Sequence, residues 1–392
     1  MDVPDVPAVP PQGGVPARPV GGGPPVQRGG SSSAGPPSWC EDTRAHLGGR
    51  RDHVSERKAC VTGGAGFIGA FLSRRLWSEG WHVTVLDCCG QEDLGLIADL
   101  LGHPRFRFLQ GDATVRHDVE DAASEAEVIF HLASVVGVGT TIGDPIRTIR
   151  NNIDSMFNVL EVARRRNSKV VFSSSADVYG ILDKVPLEEE DDNLYAGPHV
   201  RRWVYARVKS LEEQLCFEYW RRYNLPTVVV RYFNSYGYGM DYYFPRRVIP
   251  LFVRNILEGR PLEVVGDGNQ TRSFCYIDDM VHGTMLAGEV PEAVGEVFNI
   301  GNDEEITILG LARKMLAIAE ELGMAQGLGW RHVTTGAVYG EEFEDIHRRV
   351  PGLAKSRRVL GYQPRVPLDE GLRRTLRAYR DHGVPQAVGV AG

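Results

Sequence analysis

The chain has 392 residues, of which 42% are hydrophobic and 24% charged, and its formal net charge at pH 7 is −7. This composition predicts a globular protein with one large domain and a smaller lobe, and the negative charge argues against nucleic acid as a partner. No apolar stretch is long enough to span a membrane or form a signal core, and the six cysteines show no metal-ligand spacing. We therefore expect a cytoplasmic protein with reduced thiols, no membrane contact and no metal ion.

Both ends of the chain lack the pattern of a folded protein. Residues 1 to about 37 are dominated by Pro, Gly, Val and Ser and show no hydrophobic periodicity. Such a segment cannot bury enough apolar surface to offset its chain entropy. We predict a disordered tail over 1–57 and a second, short tail over 386–392.

A glycine-rich turn follows the first apolar run of the folded part. Gly63, Gly66 and Gly69 have a spacing that lets a strand turn tightly, brings backbone N–H groups to a pyrophosphate and allows a helix to pack close to a sheet. A predicted helix begins within this turn at Phe67, and Ile68 is its second residue. The sequence therefore predicts that these five residues bind a dinucleotide.

Asp87 indicates which dinucleotide is bound. It ends the next predicted strand, His82–Leu86. A carboxylate at this position accepts hydrogen bonds from the hydroxyls of the adenosine ribose and repels a 2′-phosphate. The predicted cofactor is therefore NAD rather than NADP.

Strand and helix patterns then alternate as far as Gly239. This alternation predicts a doubly wound parallel α/β sheet, a Rossmann-like NAD-binding domain over 58–239, with ligands at the carboxyl ends of its strands. Further predicted strands are Phe106–Gln110, Val128–Leu132, Lys169–Ser173 and Thr227–Tyr232, and the predicted helices are Ile146–Arg166 and Val204–Tyr223.

Beyond residue 239 the pattern becomes irregular. Residues 240–385 are predicted to form mainly a smaller mixed α/β substrate lobe, with some elements interleaved with the first domain. The predicted elements are helices at Arg247–Glu258, Ile308–Glu321 and Asp369–Tyr379 and strands at Leu262–Val265 and Ser273–Ile277.

Tyr205 and Lys209 are the predicted catalytic pair. Four residues of helix place them on one face, where the ammonium can lower the pKa of the phenol and make it a usable base. A Tyr-x-x-x-Lys pattern alone is weak evidence, but the glycine turn and the serine-rich strand end at Ser175 strengthen it. A phenolate beside a nicotinamide can take the proton of an alcohol while hydride leaves the same carbon.

Together these motifs resemble those of the extended short-chain dehydrogenase/reductase superfamily, in particular its sugar-nucleotide epimerases, decarboxylases and dehydratases. The resemblance runs from Lys58 to Arg380. It rests on the glycine turn, Gly111-Asp112, His131-Leu132-Ala133-Ser134, Ser173 to Gly180, Tyr205 to Lys209, Arg231-Tyr232-Phe233-Asn234 and Arg272-Ser273-Phe274.

The resemblance implies roles for further residues on the cofactor side. Asp112, with Ala113, is expected at the adenine, and Leu132, Ala133 and Ser134 are expected to line the cofactor channel. Lys209 is expected to hydrogen-bond the nicotinamide ribose.

The resemblance also implies the substrate, a nucleotide sugar such as a UDP-linked hexose or uronate, and a homodimer. Ser175 is expected to bind the reacting oxygen, and Asn234 and Arg272 the diphosphate, since an arginine fork supplies two charged donors at fixed geometry. Arg349 lies in a turn that looks like the family's second substrate-binding turn.

The product of the reaction depends on the fate of the ketone formed by oxidation at C4 of the sugar. A ketone that turns over gives 4-epimerisation, whereas a ketone beside a C5 carboxylate loses carbon dioxide. Ala176 and Asp177 stand where the 4,6-dehydratases carry an Asp-Glu pair, which disfavours dehydration. Epimerases often have a small residue at the position of Ala176. Decarboxylases commonly have a glutamate at the position of Asp177, so the aspartate keeps the negative charge on a shorter side chain.

Arg202-Trp203-Val204-Tyr205 resembles a bacterial decarboxylase motif, so Arg202, or Arg201 beside it, is a candidate for binding a uronate carboxylate. On the sequence we place a UDP-sugar 4-epimerase ahead of a UDP-glucuronate decarboxylase, with Asp177 as a candidate catalytic modulator. The alternative from another class is a non-catalytic dinucleotide-binding sensor or scaffold, which the presence of Tyr205 and Lys209 disfavours.

Overall fold

A computed structural model describes residues 57–90, 93–136, 138–240, 247–334 and 346–385. Except for Arg57, the two predicted tails lie outside these ranges. Within the described ranges, no helix has both the length and the apolar character needed to cross a membrane.

The described residues form ten α-helices. The three longest predicted helices were placed correctly to within one residue at each end, whereas α2, α3, α7 and α9 were not predicted. The bounds are α1 Phe67–Ser78, α2 Arg116–Ala122, α3 Val138–Gly143, α4 Pro145–Arg166, α5 Val204–Tyr223, α6 Val248–Leu257, α7 Ile277–Glu289, α8 Ile308–Glu321, α9 Ala354–Leu360 and α10 Leu368–His382.

A seven-stranded sheet forms the centre of the fold, and all its strand pairs are parallel. Its strands are β1 Lys58–Thr62, β2 His82–Asp87, β3 Phe106–Gln110, β4 Val128–His131, β5 Lys169–Ser175, β6 Thr227–Tyr232 and β11 Val297–Ile300. They lie in the order β11-β6-β5-β4-β1-β2-β3. The chain reverses direction across the sheet between β1 and β4, and such a switch point opens a crevice at the carboxyl ends of the strands. The predicted Rossmann-like α/β fold is confirmed.

Local sequence signals explain why α4 begins and ends where it does. Asp144 precedes it and accepts a hydrogen bond from the Arg147 backbone N–H at 3.0 Å. Pro145 occupies the first helical position, where a missing N–H costs nothing. Asn167 ends the helix in the left-handed conformation, with φ 56°.

Two elements beyond residue 240 belong to the layers of the central sheet. Strand β11 pairs with β6 along its whole length. Helix α7 packs on the sheet so closely that a Cβ atom at Gly288 would lie 2.8 Å from the Phe130 ring. The Lys169 ammonium at the start of β5 donates to the carbonyl oxygen of Gly288 at 2.9 Å. The C-terminal part of the chain therefore helps to complete the nucleotide-binding layers.

The predicted strand Ser273–Ile277 was wrong in part. The chain forms two short strands there and then enters α7 at Ile277. The apolar residues between 273 and 277 are typical of a single strand. Asp278 and Asp279 follow them in the first turn of α7, where carboxylates are favourable. Asp279 also accepts hydrogen bonds from two backbone N–H groups near residue 365, a contact that only the tertiary fold provides.

Short strands form three small sheets beside the central one. They are β7 Ser235–Tyr236, β8 Leu262–Val265, β9 Thr271–Ser273, β10 Cys275–Tyr276, β12 Glu305–Thr307, β13 Trp330–Val333 and β14 Arg348–Arg349. Strand β9 lies between β12 and β14 in a three-stranded sheet. Its register places Arg349 beside Arg272 and Arg348 beside Thr271.

Candidate active site

The glycine turn after β1 is built so that only small residues fit. Gly63 has φ +70°, and a Cβ atom there would lie 2.6 Å from the Ala133 backbone nitrogen. At Gly69 a Cβ atom would collide with the Gly63 carbonyl oxygen, so α1 can approach the turn only because this residue is glycine. Gly66 precedes α1, and neither a side-chain cap nor an acidic residue covers the first turn of the helix. The turn is therefore suited to an anionic group such as a pyrophosphate.

Asp87 lies at the rim of this turn. Its carboxylate accepts hydrogen bonds from the backbone N–H groups of Ala65 at 3.0 Å and Cys89 at 3.2 Å. Asp112 lies two residues after the end of β3, and its carboxylate accepts a hydrogen bond from the Thr114 backbone N–H at 2.8 Å. Both carboxylates thus lie at the carboxyl edge of β2 and β3, where the adenosine half of NAD was predicted.

Ala113 and the segment Leu132–Ser134 line the same edge. The Asn158 side chain donates to the Ala113 carbonyl oxygen at 3.1 Å. Asn152 accepts from the Ser134 hydroxyl at 3.2 Å and from the Val135 N–H at 2.7 Å. Asn152 was not predicted as a site residue, although a buried amide on the apolar face of α4 was a detectable signal.

Tyr205 and Lys209 lie one helical turn apart on α5, as predicted. The Lys209 side chain is buried, and its ammonium nitrogen lies 5.9 Å from the centre of the Tyr205 ring and 4.5 Å from that of Phe172. Burial raises the pKa of Tyr205, and so do the charges of Asp177 and Glu212; Ser134 is one of the groups that lower it. That Lys209 makes the phenol a usable base stays a prediction, and bound NAD would add a positive charge beside it.

Ser175 ends β5 and starts the short 3₁₀ turn Ala176–Tyr179. Its hydroxyl accepts a hydrogen bond from the Asp177 backbone N–H at 3.2 Å. The turn points the chain away from the sheet and places Asp177 at the sheet's carboxyl edge. After burial, the charge of Asp177 is the next cause that raises the pKa of Tyr205.

Two arginines meet at the Asp177 carboxylate. Arg349 donates to it at 2.6 Å and Arg202 at 3.4 Å, and both arginines are buried. Burial opposes ionisation of Asp177, but the two charges and their hydrogen bonds outweigh it and hold the pKa of this carboxyl well below its usual range. Asp177 is therefore an anion at neutral pH and cannot serve as a proton donor.

Asn234 and Arg272 were predicted to bind the substrate's diphosphate, and Arg272 lies beside Arg349. The Asn234 amide donates to the Ser273 carbonyl oxygen at 2.8 Å, and Arg272 donates to the Thr271 carbonyl oxygen at 2.7 Å. Arg272 and Arg349 are register partners on parallel strands, so their side chains share one face of the small sheet. Their predicted contact with a diphosphate stays a prediction.

A buried ion pair beneath the site was not predicted. Arg231 on β6 donates to Glu213 on α5 through two nitrogens, at 2.9 and 2.7 Å. Ser174, the residue before Ser175, donates to the same carboxylate. This network joins α5, which carries Tyr205, to the strand ends of the site.

The residues present fit NAD. The glycine turn is closed to side chains, Asp87 lies at its rim, where the adenosine ribose is predicted, and the buried Lys209 ammonium has no aligned hydrogen-bond partner among the described residues. A ribose hydroxyl would supply that partner. Fold and site together are those of a dinucleotide-dependent enzyme, with Tyr205 and Lys209 as its predicted catalytic pair.

Comparison with known proteins identifies the family. The profile of the NAD dependent epimerase/dehydratase family matches residues 59–301, and the chain belongs to this family. It is an NAD-dependent nucleotide-sugar enzyme of the extended short-chain dehydrogenase/reductase type, as the sequence motifs predicted.

Among curated relatives, UDP-N-acetyl-alpha-D-glucosaminuronate decarboxylase of Bacillus cytotoxicus is 34% identical over 333 residues, covering 83% of this chain and 98% of the relative. UDP-glucuronic acid decarboxylase 1 of Danio rerio is 31% identical, covering 82% of this chain and 72% of the relative.

Solved structures with this fold include two epimerases. UDP-glucose 4-epimerase of Thermotoga maritima, solved with UDP-glucose, is 28% identical with a TM-score of 0.71, covering 83% of this chain and 99% of that one. UDP-glucuronic acid 4-epimerase of Bacillus cereus, solved with UDP-glucuronic acid and NAD, is 29% identical with a TM-score of 0.71 and the same coverage. By their names, both decarboxylases and both epimerases act on UDP-sugars, and all but the Thermotoga maritima enzyme act on uronates.

Proposed function

We propose that this enzyme decarboxylates a UDP-linked uronate through a 4-keto intermediate. The observation that carries the proposal is the buried meeting of Arg349 and Arg202 at Asp177, next to Ser175 and Tyr205. The two decarboxylases among the curated relatives support it. The sequence alone placed a 4-epimerase first, and the comparisons do not specifically favour that order.

The chain's own residues provide the proton chemistry. Tyr205 takes the proton of the C4 hydroxyl, and Ser175 donates a hydrogen bond to the same oxygen. When bound, NAD supplies hydride acceptance from C4 and its later return. The C4 ketone makes the substrate a β-keto acid, so the C5–C6 bond breaks, carbon dioxide leaves and the electron pair moves to the C4 oxygen. The resulting enolate takes up a proton from water at C5, which restores the C4 ketone, and Tyr205 returns its proton to the C4 oxygen when the ketone is reduced.

The arginines would recognise the group that leaves. A guanidinium fork matches a carboxylate in two hydrogen bonds. Arg349 and Arg202 already hold the Asp177 carboxylate, which fixes the orientation of both forks. We infer that the uronate carboxylate binds along the same two forks. Because Asp177 stays ionised, it does not supply the acid that a 4,6-dehydration needs.

A uronate 4-epimerase is the second candidate. The fold shared with UDP-glucuronic acid 4-epimerase of Bacillus cereus supports it, since the same arginines would recognise the carboxylate there as well. Ala176 beside Ser175 keeps the side-chain volume at this point small. In this reaction the ketone would turn over and receive hydride on its other face.

One assay separates these reactions. The purified enzyme is incubated with UDP-glucuronate and with UDP-glucose in separate reactions, and products are identified by mass and NMR. Loss of carbon dioxide from UDP-glucuronate supports the decarboxylase, and unchanged mass with inverted C4 supports the epimerase. An unchanged uronate, with UDP-glucose converted, contradicts uronate recognition by Arg349 and Arg202.

We also propose that the enzyme is a homodimer through α4 and α5. The two helices lie side by side, with the Tyr219 hydroxyl donating to Glu161 at 2.8 Å. Their outer faces expose large apolar side chains, including Ile149 and Phe157 on α4 and Leu211 on α5. Apolar side chains spaced three and four residues apart on an exposed helix are typical of helix–helix interfaces.

A further inference from the structure

A second charged residue lies beside Lys209 inside the protein. Lys209 and Glu212 are three positions apart on α5, and their side chains are 1% and 0% exposed. The ammonium nitrogen lies 3.3 Å from one Glu212 carboxylate oxygen. Neither carboxylate oxygen has an aligned hydrogen-bond partner among the described residues. Burying such a pair costs several kcal/mol per ion before the attraction offsets it, so a hydrophobic residue would be the ordinary choice at position 212.

The neighbours of Glu212 leave Lys209 as its partner. The charges that act on it are those of Lys209 and Glu213. Glu213 is engaged by Arg231 from β6 through two hydrogen bonds. The other titratable groups around the pair are uncharged: Tyr205 and Cys216 on the same helix, where burial raises the pKa of each, and His131 on β4, where burial and Lys209 lower the pKa to about 3.

The Lys209 ammonium thus lies among one carboxyl group and two aromatic rings. Glu212 is 3.3 Å away, the Phe172 ring centre 4.5 Å and the Tyr205 ring centre 5.9 Å. A lysine has a flexible stem with four rotatable bonds, so a fixed ammonium needs a fixed partner. Glu212 provides one from the same rigid helix.

We propose that Glu212 is a positioning residue for the reaction: it fixes the Lys209 ammonium beside Tyr205 and, when ionised, offsets part of the positive field that the ammonium exerts on the phenol. The inference rests on the roles proposed above for Tyr205 and Lys209. The charge of Glu212 raises the pKa of Tyr205, the direction opposite to the effect of a cation.

This role makes the catalytic pair sensitive to pH in the neutral range. Burial raises the pKa of Glu212 to about 7, and Lys209 opposes the rise. Above that pH the glutamate becomes an anion and makes the phenol harder to ionise. Below it Glu212 is neutral and Lys209 acts on Tyr205 unopposed.

The test is Glu212→Gln, which removes the charge and keeps the shape. Tyr205 is titrated in the NAD-bound enzyme by NMR of ring-labelled tyrosine, with the signal assigned by its loss in Tyr205→Phe. We expect the titration of Tyr205 and the rising limb of the pH–rate profile to move to lower pH by roughly one unit, the size of one nearby charge in a partly buried site. Glu218→Gln, the same change on the exposed face of α5, is the matched control and leaves both curves in place.

Coincident titrations of Glu212→Gln and the unchanged protein overturn the proposal. If that variant does not fold, Glu212→Asp takes its place. The aspartate holds its charge one methylene farther from Tyr205, so we expect the Tyr205 titration to move in the same direction by a smaller amount. An unmoved titration overturns the proposal. The NMR titration needs no turnover. A shifted Tyr205 in an enzyme that converts no UDP-uronate would therefore contradict the proposed function alone.

Discussion

Arg349 and Asp177 are 172 residues apart in the chain and form an ion pair of 2.6 Å at the carboxyl edge of the central sheet. Asp177 lies in the turn after β5, and Arg349 lies on β14 in the small three-stranded sheet. The pair ties the small three-stranded sheet to the turn after β5. Its neighbour Arg348 faces the other side of the same strand and pairs with Glu305 at 2.8 Å.

Exchanging Arg349 for lysine tests the carboxylate site. Arg349→Lys keeps the charge but loses the fork, so we expect kcat/KM for UDP-glucuronate to fall by roughly 100-fold, the equivalent of about 2.7 kcal/mol. Steady-state kinetics measure the change. Arg348→Lys is the matched control. Its kcat/KM should stay close to that of the unchanged enzyme, because Arg348 is half-exposed and paired with Glu305. Equal effects of the two exchanges would count against a role for Arg349 in substrate binding.

Removing one oxygen tests Tyr205. Tyr205→Phe eliminates the group that takes and returns the proton, and we expect turnover to fall by roughly 100-fold to 10,000-fold. Circular dichroism and NAD titration should remain as in the unchanged protein, since the ring still fills its place on α5. Near-normal turnover would show that another group is the base.

The choice of cofactor depends on Asp87. We expect NAD to bind more tightly than NADP by at least roughly tenfold, or about 1.4 kcal/mol, because the carboxylate at the rim of the glycine turn repels a 2′-phosphate. Asp87→Ser should narrow the gap mainly by improving NADP binding. Calorimetric titration of both dinucleotides measures it, and tighter binding of NADP by the unchanged protein would refute the assignment.

His131 makes the fold sensitive to acid. Burial, with the charge of Lys209, lowers its pKa from 6.5 to about 3. Between these values the unfolded chain binds the proton and the folded protein does not, so stability is full above about pH 6.5 and falls as the pH drops toward 3. The loss is on the order of 5 kcal/mol over this window.

Denaturant unfolding of His131→Asn as a function of pH checks this. The variant should be less stable than the unchanged protein at neutral pH, and the difference should shrink as the pH falls. His103→Gln, at an exposed position, is the control and should leave the pH dependence as it is. A constant difference across the window would mean that His131 does not titrate with unfolding.

The proposed dimer is tested on α4. Phe157→Glu places a charge on the exposed apolar face, and we expect the molecular mass in light scattering to drop from that of a pair to that of one chain. Leu101→Glu changes an equally exposed apolar residue elsewhere and should leave the mass unaltered. A single-chain mass for the unchanged protein would exclude the dimer.

Much of the nucleotide-binding half could be predicted because its signals are local. The glycine spacing, the buried strands and the predicted long helices follow from conformational freedom, side-chain periodicity and capping over a few neighbouring residues. The strand at β11 and the helix at α7 were missed, since nothing local shows that they return to the central sheet. For the same reason Ser273–Ile277 read as one strand.

The sequence by itself determined the fold and the cofactor, and it predicted the residue types at the reacting centre. Only the tertiary structure decided that Arg349 and Arg202 converge on Asp177 and that Glu212 is buried against Lys209. The physical reason is that a charge acquires its pKa and its partner from burial and from residues distant in the chain, and neither is written in local spacing.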